Sequence, residues 1–252
     1  MSPSLGVSLG REKETNGSAA PASGPSTRVN LGCGPDAPAG WVNVDGSWNA
    51  WFSNHPGIRK TLELVGVIRK NVGAQWNVQP LVHDLTKPLP FEENSIGAIY
   101  GSHVLEHLYR TEAQALLEDC LRVLKPGGVI RMVVPDLHSM TVQYLENKSD
   151  SNALNRDTSP ADYLNERLGF RNPARPQGNF VFKLYTTWKD FHSHKYMYDS
   201  ASLIRFMSLA GFQDATVKGF RESDIYGIQE VERPDRVLDG AGVCVEAKKA
   251  RS

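Results

Sequence analysis

The stretch Arg28-Val29-Asn30-Leu31-Gly32-Cys33-Gly34-Pro35 decides the fold. A short apolar run ends on two glycines one residue apart, and a second run, Trp41-Val42-Asn43-Val44-Asp45, follows almost at once. Outward from there, Leu81-Val82-His83-Asp84 and Ile96-Gly97-Ala98-Ile99-Tyr100 read as a third and a fourth strand. Val129-Ile130-Arg131-Met132-Val133-Val134 begins a fifth. Segments of helical period lie between. Ile58, Leu62, Val65 and Ile68 predict a helix within 46–79. Ala113, Leu116, Leu117, Cys120, Leu121 and Leu124 make one apolar stripe, which Thr111 and Gln114 cap and Pro126-Gly127-Gly128 stops. Asp199 caps a later helix through Leu203, Ile204 and Met207 that ends at Gly211. Ala215-Thr216-Val217 and Gly242-Val243-Cys244-Val245 close the chain as strands. Uninterrupted apolar strands alternating with helices imply a doubly wound, mostly parallel α/β sheet covered on both faces.

A Gly-x-Gly turn at the carboxyl end of the first strand of such a sheet is a ligand-binding turn, because small residues let the backbone approach closely. Gly32, Gly34 and Ala37 satisfy G-x-G-x-x-A, so a nicotinamide-dependent oxidoreductase must be weighed. Two facts oppose it. A dinucleotide needs a helix after the turn, whose amino terminus neutralises the pyrophosphate. Pro35, Pro38 and Gly40 break up the residues before Trp41 and leave no room for one. The acid that would bind ribose, Asp45, comes 11 positions after Gly34, where the dinucleotide fingerprint expects about 20.

A cofactor without phosphates escapes both demands. S-adenosylmethionine (SAM) is one: it needs a backbone turn for its amino-acid end, a carboxylate for its ribose diol and an acceptor for its adenine amine. Asp45, at the end of strand two, fits the diol, since one carboxylate accepts from both hydroxyls. Asp84, at the end of strand three, is placed for the amine.

Val29-Asn30-Leu31-Gly32-Cys33-Gly34 with Asn43-Val44-Asp45 resembles the first two motifs of class I SAM-dependent methyltransferases, of the type 11 group that acts on small molecules. His83-Asp84-Leu85 followed by Leu89-Pro90-Phe91 is similar to their third block. Ser102-His103-Val104-Leu105-Glu106-His107 and Leu121-Arg122-Val123-Leu124-Lys125-Pro126-Gly127-Gly128 are similar to the fourth and fifth. The resemblance covers about 29–135 strongly and His194 to Phe212 more weakly. It implies a seven-stranded Rossmann-like sheet whose last strand is antiparallel, with Gly242–Val245 in that strand. It carries cofactor contacts onto Asn30, Gly32, Cys33, Gly34, Asp45, Asp84, Leu85, Ser102 and His103. It implies methyl transfer from SAM, leaving S-adenosyl-L-homocysteine. The sequence departs from the family twice: the usual first-strand acid is Asn30, and the first helix is nearly absent.

His103, Glu106, His107 and Arg110 fall at i, i+3, i+4 and i+7, one face of a predicted helix. His103-Val-Leu-Glu106-His107 also matches H-x-x-E-H, a zinc peptidase signature. A peptidase leaves the glycine turn, Asp45 and Asp84 unexplained, so no metal site is expected and these residues are assigned to the pocket. A second cluster, Asp190 to Tyr198, precedes the last helix. In similar methyltransferases a His and a Tyr there face the acceptor, which implicates His194 and Tyr196. A neutral imidazole could take the proton of a hydroxyl acceptor as the methyl transfers. His194 ranks first as that base and His103 second.

The 252 residues suit one domain, 28–252, behind a tail (1–27) rich in Ser, Gly, Ala and Pro that is expected to be disordered. Lid-like insertions are expected about 46–79 and 137–198. The second holds Tyr144, Tyr163, Phe170, Phe180, Phe182, Tyr185, Trp188, Phe191, Tyr196 and Tyr198, which suggests an apolar or aromatic small-molecule acceptor, or a sugar stacked on rings. Lys+Arg and Asp+Glu balance at 28 each, so no global field recruits nucleic acid or anionic lipid. The three cysteines stand at unrelated spacings and read as free thiols in a reducing compartment. No apolar run approaches a membrane span and no signal peptide is expected, so the reading is cytoplasmic. O-methylation leads; N- or C-methylation, a nicotinamide oxidoreductase, the zinc peptidase and a SAM-binding protein without catalysis stay open.

Overall fold

The computed structural model describes residues 27–66, 76–149, 159–169 and 193–251. Seven strands form one sheet: β1 (Arg28–Leu31), β2 (Val42–Asp45), β3 (Leu81–Val82), β4 (Ile96–Ser102), β5 (Leu124–Pro135), β6 (Gln213–Val217) and β7 (Gly242–Lys248). Their order is β3-β2-β1-β4-β5-β7-β6. Strands β1 to β5 pair in parallel, and β7 runs antiparallel to both β5 and β6. The doubly wound sheet with a reversed last strand is therefore as expected. Strand order reverses at β1, with β2 on one side and β4 on the other, so a crevice opens above the carboxyl ends of β1 and β4.

The helices are α1 (Trp48–Asn54), α2 (Pro56–Leu64), α3 (Arg110–Val123), α4 (Leu137–Ser149), α5 (Pro160–Leu168), α6 (Ser200–Leu209) and α7 (Ile228–Val231). Helix α3 buries the predicted stripe of Ala113, Leu116, Leu117 and Cys120, and α6 buries Leu203, Phe206 and Met207 against the same sheet face. Asp199 caps α6 as expected, accepting from the Ser202 N–H at 2.8 Å.

Four local expectations need correcting. Helix α3 starts at Arg110, where the Glu112 carboxylate takes the Tyr109 N–H at 3.0 Å; Gln114 pairs with Glu118 instead of closing a box with Thr111. Leu124 belongs to β5, opposite Ile96, and the Lys125–Gly128 stretch forms a bulge before Val129 pairs with Ala98. The single helix expected within 46–79 is two short ones, because Pro56 starts a new helix; Ile58 and Val65 are exposed, and Ile68 lies outside the described residues. After β4 there is no α-helix. His103 has a left-handed backbone (φ +57°) and Leu105–His107 make one 3-10 turn.

No helix crosses over residues 32–41, so the sheet face beside β1 and β4 needs another cover. Residues 219–240 supply it. Ile225, Ile228, Val231 and Val237 pack on Trp41, Ala98, Tyr100, Val129, Val133 and Cys244 in a second core. Arg131 of β5 points into this layer with no exposure. Its Nε and Nη2 donate to the two Glu232 oxygens at 2.7 and 2.9 Å, and further bonds reach the carbonyls of Gly219 and Glu222. Glu246 of β7 lies 3.6 Å from Nη1. Replacing Arg131 strands buried carboxylates. Arg131→Met is expected to cost about 3–5 kcal/mol of stability, read as a lower urea midpoint.

Candidate functional site

Three strand ends meet at the crevice. Gly32 (φ +61°) and Gly34 (φ +64°) carry the chain out of β1 in the left-handed region. A Cβ on Gly32 would lie 2.6 Å from Val104 Cγ2, so the turn lies directly against the residues that leave β4. Asp45, at the end of β2, accepts from the Gly34 N–H at 3.1 Å through Oδ2 and from the Ser47 N–H at 2.8 Å through Oδ1. Each carboxylate oxygen can accept a second hydrogen bond. A Cβ on Gly46 would meet the His83 carbonyl at 2.7 Å, and this close approach sets Asp45 beside Asp84. Asp84 is exposed, with Oδ1 accepting from the Thr86 N–H and hydroxyl. Leu85 packs half-buried on the main core.

Asn30 is turned to a different task. Its buried amide donates to Asn43 Oδ1 at 2.9 Å, and Asn43 in turn donates to the carbonyls of Pro38 and Trp41. The amide pair thereby pins the helix-free 32–41 connection. Ser102, also buried, donates from Oγ to the Arg236 carbonyl at 2.9 Å. The Arg236 guanidinium lies over the turn: Nη2 donates to the Cys33 carbonyl at 2.8 Å and sits 3.0 Å from where a Gly34 Cβ would be. Sequence reading missed Arg236, and no local signal could have found it, since it comes from the cover some 200 residues away.

The fourth strand end carries the histidines. His103 Nδ1 lies 2.8 Å from Glu106 Oε1, and Glu106 has no exposure. A carboxylate only accepts, so the proton is on Nδ1 and the Nε2 lone pair is free. The segment from Ser193 to Tyr198 crosses this corner, with the Lys195 N–H on the Glu106 carbonyl at 2.6 Å and the Leu137 N–H on the Tyr198 carbonyl at 2.8 Å. It brings the His194 ring to 4.9 Å from the His107 ring, edge to face. Tyr196 is close by but engaged otherwise, with Arg110 over its face and its ring against Tyr198. The structure thus gathers His103, Glu106, His107 and His194, and leaves Tyr196 at the rim. Phe170, Phe180, Phe182, Tyr185, Trp188 and Phe191 lie outside the described residues.

This crevice suits SAM better than a dinucleotide. The turn offers glycine backbone, a guanidinium and a buried carboxylate, whereas a pyrophosphate needs the amino terminus of a helix that residues 32–41 do not form. Residues 29–132 match the family described as the methyltransferase domain. Over these residues the chain is similar to methyltransferase domains. A protein in a transposon of Streptomyces fradiae, described as an uncharacterised 37.1 kDa protein, is 34% identical over 116 residues, which are 46% of this chain and 32% of that protein. The chain thus matches about a third of the length of this curated relative. Among solved structures, a SAM-dependent methyltransferase from Thermotoga maritima is 15% identical, covers 90% of this chain and 84% of its own, and has a TM-score of 0.43. One from Archaeoglobus fulgidus is 14% identical over 89% of this chain and 86% of its own, with a TM-score of 0.44.

The three cysteine thiols are free and buried. Burial, and after it the Asp45 charge, pushes Cys33 up to about 12; burial also pushes Cys244 up to about 11 and raises Cys120 further. A thiol whose folded pKa is raised favours the fold fully below its unfolded pKa, and loses that contribution as pH rises towards the folded value. Native protein should therefore leave all three free cysteines unreacted with a disulfide reagent at pH 8, and react fully in urea. Stability should fall as pH climbs from about 9 towards 11.

Proposed function

We propose that the protein transfers a methyl group from SAM to the hydroxyl oxygen of a small-molecule acceptor, as a soluble cytoplasmic enzyme. The observation that carries this reading is the juxtaposition, across the β1–β4 crevice, of the Gly32–Gly34 turn with the His103–Glu106 pair. When bound, SAM supplies a methyl group on a cationic sulfur and leaves as S-adenosyl-L-homocysteine. Asp45 accepts the ribose hydroxyls, Asp84 with Leu85 takes the adenine edge, and the turn residues Gly32, Cys33 and Gly34 border the amino-acid end. Ser102 holds Arg236 over that end, where a guanidinium matches a carboxylate.

At the other side of the crevice, His103 Nε2 accepts the acceptor's hydroxyl proton while Glu106 fixes the ring and its tautomer. The geometry favours His103 over His194 for this step, because only His103 carries a carboxylate on its second nitrogen and leaves β4 directly beside the turn. Tyr196 at the rim, with the segments about 46–79 and 137–198, frames the acceptor; their aromatic content supports an apolar or aromatic molecule or a sugar. Positioning supplies much of the rate. N- or C-methylation would use the same cofactor site without requiring the His103 proton transfer. No described helix is long and apolar enough to cross a membrane.

Calorimetry with SAM and S-adenosyl-L-homocysteine tests the cofactor half. Wild type should bind both, Asp45→Ala should lose measurable binding, and Arg236→Ala should weaken it about tenfold. Absence of binding to folded wild type would overturn the reading. Once a screen of hydroxylated acceptors yields turnover, His103→Ala is expected to lower kcat by about 10²–10⁴ with SAM affinity unchanged. An unchanged kcat would transfer the assignment to N- or C-methylation or to His194.

A further inference from the structure

The corner behind His103 holds an arrangement that methyl transfer does not use. Glu106, fully buried, spends Oε1 on His103, and its Oε2 has no hydrogen-bond partner among the described residues. His107 Nδ1 likewise has none. The His107 ring bonds the Ser193 backbone; that bond falls to Nε2–H donating to the carbonyl, which leaves Nδ1 with a bare lone pair. His194 Nδ1 donates to the Leu168 carbonyl at 2.7 Å, which fixes the proton there and bares Nε2. One ligand atom from each of Glu106, His107 and His194 falls within 4.8 Å of the other two.

Three acceptors that converge without a hydrogen between them repel one another. A water molecule brings two hydrogens and cannot serve all three. A cation answers every acceptor at once.

We propose that Glu106, His107 and His194 bind a divalent transition-metal ion, of the class of Zn²⁺ or Fe²⁺. Two imidazoles and one carboxylate are the donor set that borderline cations choose, whereas Mg²⁺ and Ca²⁺ seek oxygen ligands. Three protein ligands leave at least one coordination position open. The groups that orient the ligands are in place: the Leu168 and Ser193 carbonyls hold the two rings, and His103 holds Glu106 Oε1. Gly169 closes the site from α5. A Cβ there would meet the His194 ring at 2.8 Å, so only glycine lets the imidazole sit where it does. The ion would clamp the 193–198 segment onto the turn that follows β4. The ligands differ from those an H-x-x-E-H helix would offer, since His103 stands behind the glutamate and His194 replaces it.

The site is tested on the full, untagged chain stripped with chelator, by calorimetry with Zn²⁺ and with Mg²⁺ and by metal analysis after dialysis. One equivalent of Zn²⁺ should bind, with Mg²⁺ failing to compete. His194→Ala should weaken Zn²⁺ by about 100-fold or more, beyond the roughly 10–100-fold typical of losing a group that only orients a ligand. Gly169→Ala, which keeps every ligand, should weaken it less. Should His194→Ala misfold by circular dichroism, His107→Gln takes its place. Co²⁺ substitution should give visible d–d bands that Zn²⁺ abolishes. Absence of Zn²⁺ binding to folded wild type, equal binding of Mg²⁺, or affinity unchanged in the ligand variants would each overturn the site. Asp45→Ala should keep Zn²⁺ binding while losing SAM, so failure here and failure of the cofactor reading are separable.

Discussion

The Arg131–Glu232 pair governs how this sheet is covered. A parallel sheet must bury both faces, and the 32–41 connection gives no helix for the face beside β1 and β4. The replacement, residues 219–240, comes from the far end of the chain and contains only the four-residue helix α7 and a 3-10 segment. Such a cover has little periodic structure to fix its register. A guanidinium at zero exposure fixes it instead: five donors in a rigid fork must find Glu232 and the carbonyls of Gly219 and Glu222 together. Buried ion pairs gain little over an apolar filling, but one placement of the cover satisfies this one. The ion pairs of Arg233 with Asp36 and of Arg28 with Glu230 then tie the cover to the two ends of the β1 region.

That placement reaches the glycine turn of the candidate site. With the cover in register, Arg236 lands over the glycine turn and its carbonyl meets Ser102. In a dinucleotide fold, positive potential at this turn comes from a helix terminus. Here a side chain brings it, which suits a single carboxylate rather than a pyrophosphate. Loss of the first helix and gain of Arg236 are thus two aspects of one rearrangement.

Much of this was readable from the chain because it is local. The strand runs, the Gly32–Gly34 turn and the early Asp45 depend on neighbours in sequence, and they led to the sheet, the proposed cofactor and the strand-end acids. The strand count and the antiparallel last strand came from the resemblance rather than from periodicity. What sequence could not supply depends on distant packing. Arg131 and Arg236 find partners about 100 and 200 residues away, and the Asn30 amide, expected at the cofactor, is spent on Asn43. The exposed stripe of α2 misled in the opposite sense, since helical period does not say what, if anything, covers it.

The histidine corner shows why spacing alone misassigns chemistry. On an α-helix, i and i+4 share a face, so His103 and His107 would point together with Glu106 alongside. A 3-10 turn eclipses i and i+3 instead. His103 leaves β4 in a left-handed conformation and the chain then tightens through Leu105–His107, so His103 meets Glu106 while His107 swings to meet His194. Glu106 ends up between two different environments, with one oxygen bonded to His103 and the other among bare lone pairs. A buried carboxylate is tolerated only when both its oxygens are answered. His103 answers the first, and the chemistry of the second side requires positive charge rather than another donor from the chain.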